Sequence, residues 1–417
     1  MSSKRKYYSS SDDNDSDSDY KPRSKSDHKK KENNKESKRE SKRKIYKPIN
    51  VKTLEDKIYE SDMDDNVKNL ALQRYYNMDI SDKFKQLEWI ESLLKIPWKK
   101  FSKLPVSKNN KKETIQTYFE YAEKVLNESV YGMDYVKEEI LNYIAQFIST
   151  DNNCMPRILA LQGSPGIGKT KIIHSGFAKA LSRPIKCISM GGLSDSSHFI
   201  GFDYTYSGSR YGLLVQTLIE TGVMNPIIFM DELDKISNTN SGIEIQNLLI
   251  HLTDPVQNHV FQDKYFSGIH IDLSKVIFIF SYNDESLVSP ILKDRIYTIR
   301  VPDPDLKTKI VIGTSFLPKE IAPNMGLNVT DIVFSDSIVK YIVQNYCEKE
   351  KGIRSLKKIL ETIYLKVNTA RFFCAKSKYK SLKDINLPIN ISEDIVKECI
   401  KKDVDENYDY VMRHMFL

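Results

Sequence analysis

Apolar residues are nearly absent from the first 47 positions and return at helical spacing from Val51 onward. Leu54, Ile58, Val67, Leu70 and Leu72 follow that spacing; Leu87, Ile90 and Leu94 share one helical face, and Pro97 stops the helix they predict. A small helical domain is expected over 48–106, followed by a polar linker at 107–112. From Glu113 the pattern becomes alternating helix and strand. Short apolar runs at 157–162, 185–189, 226–230 and 276–280 predict strands. The helical stretches between them imply a mostly parallel α/β sheet covered on both faces. After Pro302-Asp303-Pro304 the strand signals fade, and 335–373 reads as helical throughout. No internal repeat is visible.

Composition narrows this picture. With 40% apolar and 29% charged residues, the chain has enough apolar material for two or three globular cores. The longest apolar runs are strand-sized, well short of the roughly eighteen residues that suggest a membrane span. No apolar signal segment opens the sequence, so secretion is not expected. The five cysteines (Cys154, Cys187, Cys347, Cys374, Cys399) are scattered without a Cys-x-x-Cys pair. That spacing argues against a zinc site and a disulfide framework, and fits a reducing compartment.

Charge is informative through its location. The net charge is +7, and residues 1–47 hold 16 Lys and Arg against 9 Asp and Glu, so the excess sits there and the remainder is balanced. Such a Ser, Asp, Lys and Arg stretch cannot bury enough apolar surface to offset chain entropy and is predicted to be a disordered tail. An acidic block at 9–19 precedes basic runs such as Lys29-Lys30-Lys31 and Lys42-Arg43-Lys44. A solvated tail, contact with nucleic acid or an acidic partner, and a nuclear-import signal all fit this pattern. The expected compartment is the cytoplasm, with the nucleus open through the tail.

The chemistry is carried by Gly163-Ser164-Pro165-Gly166-Ile167-Gly168-Lys169-Thr170, directly after the first predicted strand. It fits the phosphate-binding pattern G-x-x-x-x-G-K-[ST]. Glycines let backbone N–H groups wrap an anion, a lysine reaches the β- and γ-phosphates of ATP, and a hydroxyl holds Mg²⁺ as the next helix starts. Downstream, Ile227-Ile228-Phe229-Met230-Asp231-Glu232 is an apolar strand ending in two carboxylates. Asp231 is placed to bind Mg²⁺ and Glu232 to polarise the attacking water, although an acidic surface cap has the same local pattern. Asn283 follows the 276–280 strand, either aligning that water or forming a turn. Arg295 is either an arginine finger for a neighbouring subunit or a surface arginine beside Asp294.

From about Leu54 to Phe373 the order of motifs resembles the Lon family of AAA+ proteases. The similar stretches include Gly191-Gly192-Leu193-Ser194-Asp195 and Gly201-Phe202-Asp203-Tyr204-Thr205-Tyr206-Ser207-Gly208. Leu252-Thr253-Asp254-Pro255-Val256-Gln257-Asn258, Asp272-Leu273-Ser274-Lys275-Val276-Ile277-Phe278-Ile279 and Lys351-Gly352-Ile353-Arg354-Ser355-Leu356 are similar too. Leu93-Leu94-Lys95-Ile96-Pro97-Trp98 resembles the end of the helical region before Lon's ATPase, and Val130-Tyr131-Gly132 its adenine-side element. The resemblance implies an AAA+ ATPase domain over 107–302, a helical lid over 303–375 and a C-terminal extension over 376–417. It makes Asn283 the first sensor, Arg295 the arginine finger and Arg354 a second sensor on a lid helix, contacting the γ-phosphate. It also implies a hexameric ring that threads polypeptide, with Tyr206 as the gripping pore-loop aromatic.

Departures from the family pattern are expected to alter that grip. Asp203 and Tyr204 stand where Lon usually has basic residues, and Ser207 replaces an aliphatic neighbour. No Gly-Pro-Ser-Ala-Gly-like stretch of a Ser-Lys protease appears in the sequence, so no cleavage of peptide bonds is expected. The leading expectation is an ATP-driven protein remodeller. A nucleic-acid-associated ATPase tethered by its tail, and an ATPase subunit serving a separate protease, stand as alternatives.

Overall fold

The computed structural model describes residues 52–151, 156–193, 195–206, 208–348, 350–372, 380–382 and 387–400. The expected charged tail lies outside the described residues, as do Cys154, Ser194, Ser207, Cys374 and much of 376–417. The chain opens with helices α1 (Leu54–Glu60), α2 (Asp65–Tyr76) and α3 (Lys83–Lys95). Thr53 starts α1 with a capping box, its hydroxyl accepting the Asp56 N–H while the Asp56 carboxylate accepts the Thr53 N–H. Helix α3 ends two residues before Pro97, as expected. Its buried face is Trp89, Ile90 and Leu93, whereas Leu87 and Leu94 lie half-buried at its margins.

Helices α4 (Lys112–Ser129) and α5 (Asp134–Ser149) lead into a five-stranded sheet. Its strands are β1 (Leu159–Gln162), β2 (Ile185–Ser189), β3 (Ile227–Asp231), β4 (Ile277–Tyr282) and β5 (Tyr297–Arg300). The four predicted strands are all present. The fifth was not anticipated, because Tyr297-Thr-Ile-Arg is a four-residue edge strand with one fully buried residue, Ile299. The spatial order is β2-β3-β4-β1-β5 and every pairing is parallel. Parallel strands need crossovers, supplied by α6 (Lys169–Lys171), a π turn at Ile172–Phe177, α7 (Ala178–Ala180), α8 (Ser197–Ile200), α9 (Leu213–Thr221), α10 (Asn240–Thr253) and α11 (Pro290–Arg295).

Both faces of the sheet are buried, and alternate residues of each strand serve alternate faces. Leu159, Leu161, Phe229 and Ile279 pack with α4, α5 and the helix after β1. Ala160, Ile228, Met230 and Phe280 face the opposite core, which also takes in Ile58, Leu72, Trp89 and Ile90 from the first three helices. Those helices thus share one apolar core with the sheet, and Trp89 Nε1 ties them to it by donating to the Tyr265 carbonyl at 2.8 Å.

A third core belongs to a separate helical lobe. It comprises α12 (Leu306–Val311), α13 (Leu317–Asn324), α14 (Asp336–Tyr346), α15 (Arg354–Phe372) and α16 (Glu393–Cys399), with a small parallel pair of β6 (Ile332–Val333) and β7 (Ile389–Asn390). The expected unbroken helix over 335–373 is two helices. The break is where the chain crosses the phosphate-binding loop: a Cβ on Gly352 would lie 2.4 Å from the Pro165 carbonyl oxygen, so only glycine fits there. Glu350 then accepts the Ser355 N–H at 2.6 Å and restarts the helix.

Candidate functional site

Strand order assembles the site. Because β4 lies between β1 and β3, the carboxyl ends of these strands stand side by side, where parallel α/β sheets place their ligand crevices. The loop 163–170 follows β1, Asp231 and Glu232 close β3, and Asn283 follows β4. The loop's curvature depends on Gly166 (φ 76°) and Gly168 (φ 103°), both in the left-handed region. Glu232 adopts φ 64°, a conformation unfavourable for a residue with a Cβ, and so leaves the strand as its chain turns.

The polar groups converge closely. Lys169 Nζ donates to the carbonyls of Gly163 (2.7 Å) and Ser164 (3.0 Å) and to Asn283 Oδ1 (2.7 Å). Thr170 Oγ1 donates to Asp231 Oδ2 at 2.8 Å, while the Ser281 hydroxyl and the Glu232 N–H, the latter at 3.0 Å, donate to Asp231 Oδ1. Glu232 Oε2 accepts from the Ser189 hydroxyl at 3.0 Å. Burial pushes the Lys169 ammonium pKa down while nearby Asp231 acts against that shift.

The helical lobe closes the other side. Ile353 N–H donates to the Gly166 carbonyl at 3.1 Å, and a Cβ on Gly166 would lie 3.1 Å from Arg354 Cβ. Arg354 therefore begins its helix against the phosphate-binding loop. Together they line a cavity of about 290 Å³ that also includes Lys169, Thr170, Asp231, Glu232 and Asn283. Glu320 of α13 bridges the cavity wall, accepting from Lys171 at 2.7 Å and from Lys357. Burial acts to raise the Glu320 carboxyl pKa, but the two ammonium donors outweigh it and hold it below the ordinary value. Beside the cavity, the Tyr131 ring packs on Phe316 of the helical lobe with centroids 5.5 Å apart, and Gly132 (φ 71°) turns the chain there.

Two of the predicted residues stand elsewhere. Arg295, at the end of α11, is not among the residues lining the cavity. Its guanidinium donates to Asp254 Oδ2 at 2.8 Å, a bond that is the main cause of a lowered Asp254 pKa. Tyr206 projects from the loop between α8 and α9, with 68% of its surface exposed.

Residues and ligand chemistry fit one another. A buried ammonium resting on neutral oxygens, a hydroxyl–carboxylate pair at hydrogen-bond distance and a glycine-shaped cradle suit a triphosphate with Mg²⁺. Ser189, Ser281, Lys171, Glu320 and Lys357 complete the surroundings and were not anticipated. Lys171 and Ser281 adjoin predicted site elements in the sequence, and Lys357 lies three residues after Arg354 on the same helical face; Ser189 and Glu320 join through tertiary packing.

This arrangement defines a P-loop ATPase of the AAA class, and residues 159–302 match the ATPase family associated with various cellular activities (AAA). A Lon protease homolog of Acanthamoeba polyphaga mimivirus is 35% identical over 358 residues, covering 84% of this chain and 34% of the relative. The Lon protease of Flavobacterium johnsoniae is 33% identical over 349 residues, 82% of this chain and 39% of the relative. A mitochondrial Lon protease homolog of Ostreococcus lucimarinus is 34% identical over 302 residues, 71% and 30% respectively. The chain therefore carries a Lon-type AAA ATPase module, and it spans about a third of the length of these relatives.

Proposed function

We propose that this chain hydrolyses ATP and uses the energy to unfold or remodel polypeptides. The observation that carries the reading is the meeting of Lys169, Thr170, Asp231, Glu232 and Asn283 with lid residue Arg354 around one cavity. In the proposed reaction Lys169 supports the β- and γ-phosphates, and its low-dielectric setting strengthens that contact. Thr170 and Asp231 hold Mg²⁺, which supplies neutralising charge at the phosphates. Glu232 exchanges the Ser189 hydroxyl for the attacking water and takes its proton, while the Asn283 amide orients that water. Arg354 carries the state of the γ-phosphate into the lid through α15. Tyr131 and Gly132 border the nucleobase.

Arg295 acts on the site of a neighbouring copy, which requires a ring; six copies is the expected number. Tyr206 projects into that ring and grips the polypeptide. In this reading the module itself moves polypeptide without cutting it. No helix of the described residues is long and apolar enough to cross a membrane. Separately, the proposed setting is the cytoplasm, with the nucleus left open by the basic runs within residues 1–47. The test is ATP-dependent loss of fluorescence from a destabilised green fluorescent protein, followed by gel analysis. Unfolding that stops in Glu232→Gln and leaves the substrate full-length supports the proposal; unfolding indifferent to ATP, or fragments that appear with ATP, refutes the part concerned.

A further inference from the structure

The Tyr206 loop is pinned at its neck by the ATPase domain and in its middle by other helices. At the neck, Phe202 N–H donates to the Arg210 carbonyl at 3.1 Å, and Asp263 Oδ2 accepts the Gly212 N–H at 2.8 Å. Between these points, the Tyr204 ring has Lys85 Nζ 4.6 Å and the Arg74 guanidinium 5.0 Å from its centroid. Arg74 also lies 4.0 Å over the Trp89 ring, which fixes it to the core. Lys85 makes a second contact, donating at 3.1 Å to the backbone carbonyl of Tyr206, 121 positions later in the chain. The Tyr204 hydroxyl is buried without a hydrogen-bond partner, so its ring is held by these cations and by a T-shaped contact with Tyr265, centroids 6.0 Å apart, and not by its polar tip.

These two contacts respond differently to movement. Attraction between a cation and a ring persists while the cation stays within about 6 Å of the centroid, whereas a hydrogen bond is lost beyond about 3.5 Å. Tyr204 can therefore shift under its cations while the Lys85–Tyr206 bond breaks. We infer that Lys85, backed by Arg74, is a positioning residue for the Tyr206 loop: helices α2 and α3 set where the gripping aromatic stands, and the ATPase core moves it against that hold. The inference rests on the proposed gripping role of Tyr206.

The test compares Lys85→Met and Lys85→Arg in the full chain, with Tyr206→Ala alongside and carboxymethylated casein as the unfolded polypeptide. Two quantities are read: amide hydrogen exchange over residues 202–206, and the casein concentration giving half-maximal stimulation of ATP turnover. Loss of one cation–ring contact and one hydrogen bond should raise both about tenfold in Lys85→Met, with maximal stimulated turnover changed less than about twofold. Lys85→Arg, which keeps a cation and a donor, should restore both to near wild type. Wild-type behaviour of Lys85→Met while Tyr206→Ala abolishes stimulation overturns the positioning role and leaves the grip intact. Faster exchange with an unchanged half-maximal concentration overturns it as well. Stimulation that survives in Tyr206→Ala removes the gripping role and this inference with it.

Discussion

The nucleotide cleft and the Tyr206 loop belong to one ATPase module but are held in opposite ways. The cleft is built from the ends of three adjacent parallel strands, and its groups are fixed by short bonds among neighbours: Lys169 on Asn283, Thr170 on Asp231, Glu232 on Ser189. The loop leaves that frame after Gly201; the ATPase domain holds its neck, while Arg74 and Lys85 from helices before the sheet hold its middle. Chemistry that requires reacting groups fixed within fractions of an ångström belongs on rigid strand ends. A group that must travel belongs on a loop with a yielding support. The helical lobe stands between the two designs, clamped to the cleft through Gly352 and Glu320 but built around a core of its own.

If the cleft is completed by a second copy, Arg295→Ala should produce the largest effect. Turnover should fall about 10³-fold or more with nucleotide affinity retained, as expected for a lost arginine finger. Steady-state hydrolysis with parallel binding of a fluorescent nucleotide measures both; mixing Arg295→Ala with Glu232→Gln should recover some turnover, because each supplies what the other lacks. Glu232→Gln alone should lower turnover roughly 10²–10⁴-fold, the usual contribution of a positioned base, again with binding retained.

Stability separates the regions next. Trp89 is fully buried in the core that the first helices share with the sheet, so Trp89→Ala should destabilise the whole ATPase body by about 3–5 kcal/mol. Thermal unfolding should show one lowered transition; early loss of the first helices with an unchanged main transition would separate them from the ATPase.

The smallest expected effect is a pH dependence behind the loop. Burial pushes the Asp263 carboxyl up to about 7, despite backbone N–H donors that act to lower it. An unfolded aspartate titrates near ~3.9. Between these values the native protein keeps a proton that the unfolded chain has released, so stability falls as pH rises through this window and levels above it. Melting curves from pH 5 to 8 should show a Tm decline that is shallower in Asp263→Asn.

Legibility followed the same division. The phosphate-binding loop, the Asp231-Glu232 pair and four of the five large-sheet strands were readable because contiguous residues encode them. The assignment of Arg354 to the cleft came from family resemblance, and the structure adds how Gly352 delivers it there. The fifth strand was too short to show a pattern. Arg74, Lys85 and Tyr204 were not singled out as partners, since nothing local in 65–95 signals contact with a loop beyond residue 200. Ser189 and Glu320 were missed for the same reason: each gains its place from tertiary packing, and isolated serines and glutamates have no distinguishing spacing.

The proposed coupling between the cleft and the Tyr206 loop is read most directly from turnover stimulated by polypeptide. ATP turnover would be measured with and without carboxymethylated casein for wild type and Tyr206→Ala. Casein should stimulate the wild type several-fold and leave Tyr206→Ala unstimulated. Wild-type turnover that ignores the polypeptide would contradict that coupling, leaving an ATPase whose loop does other work.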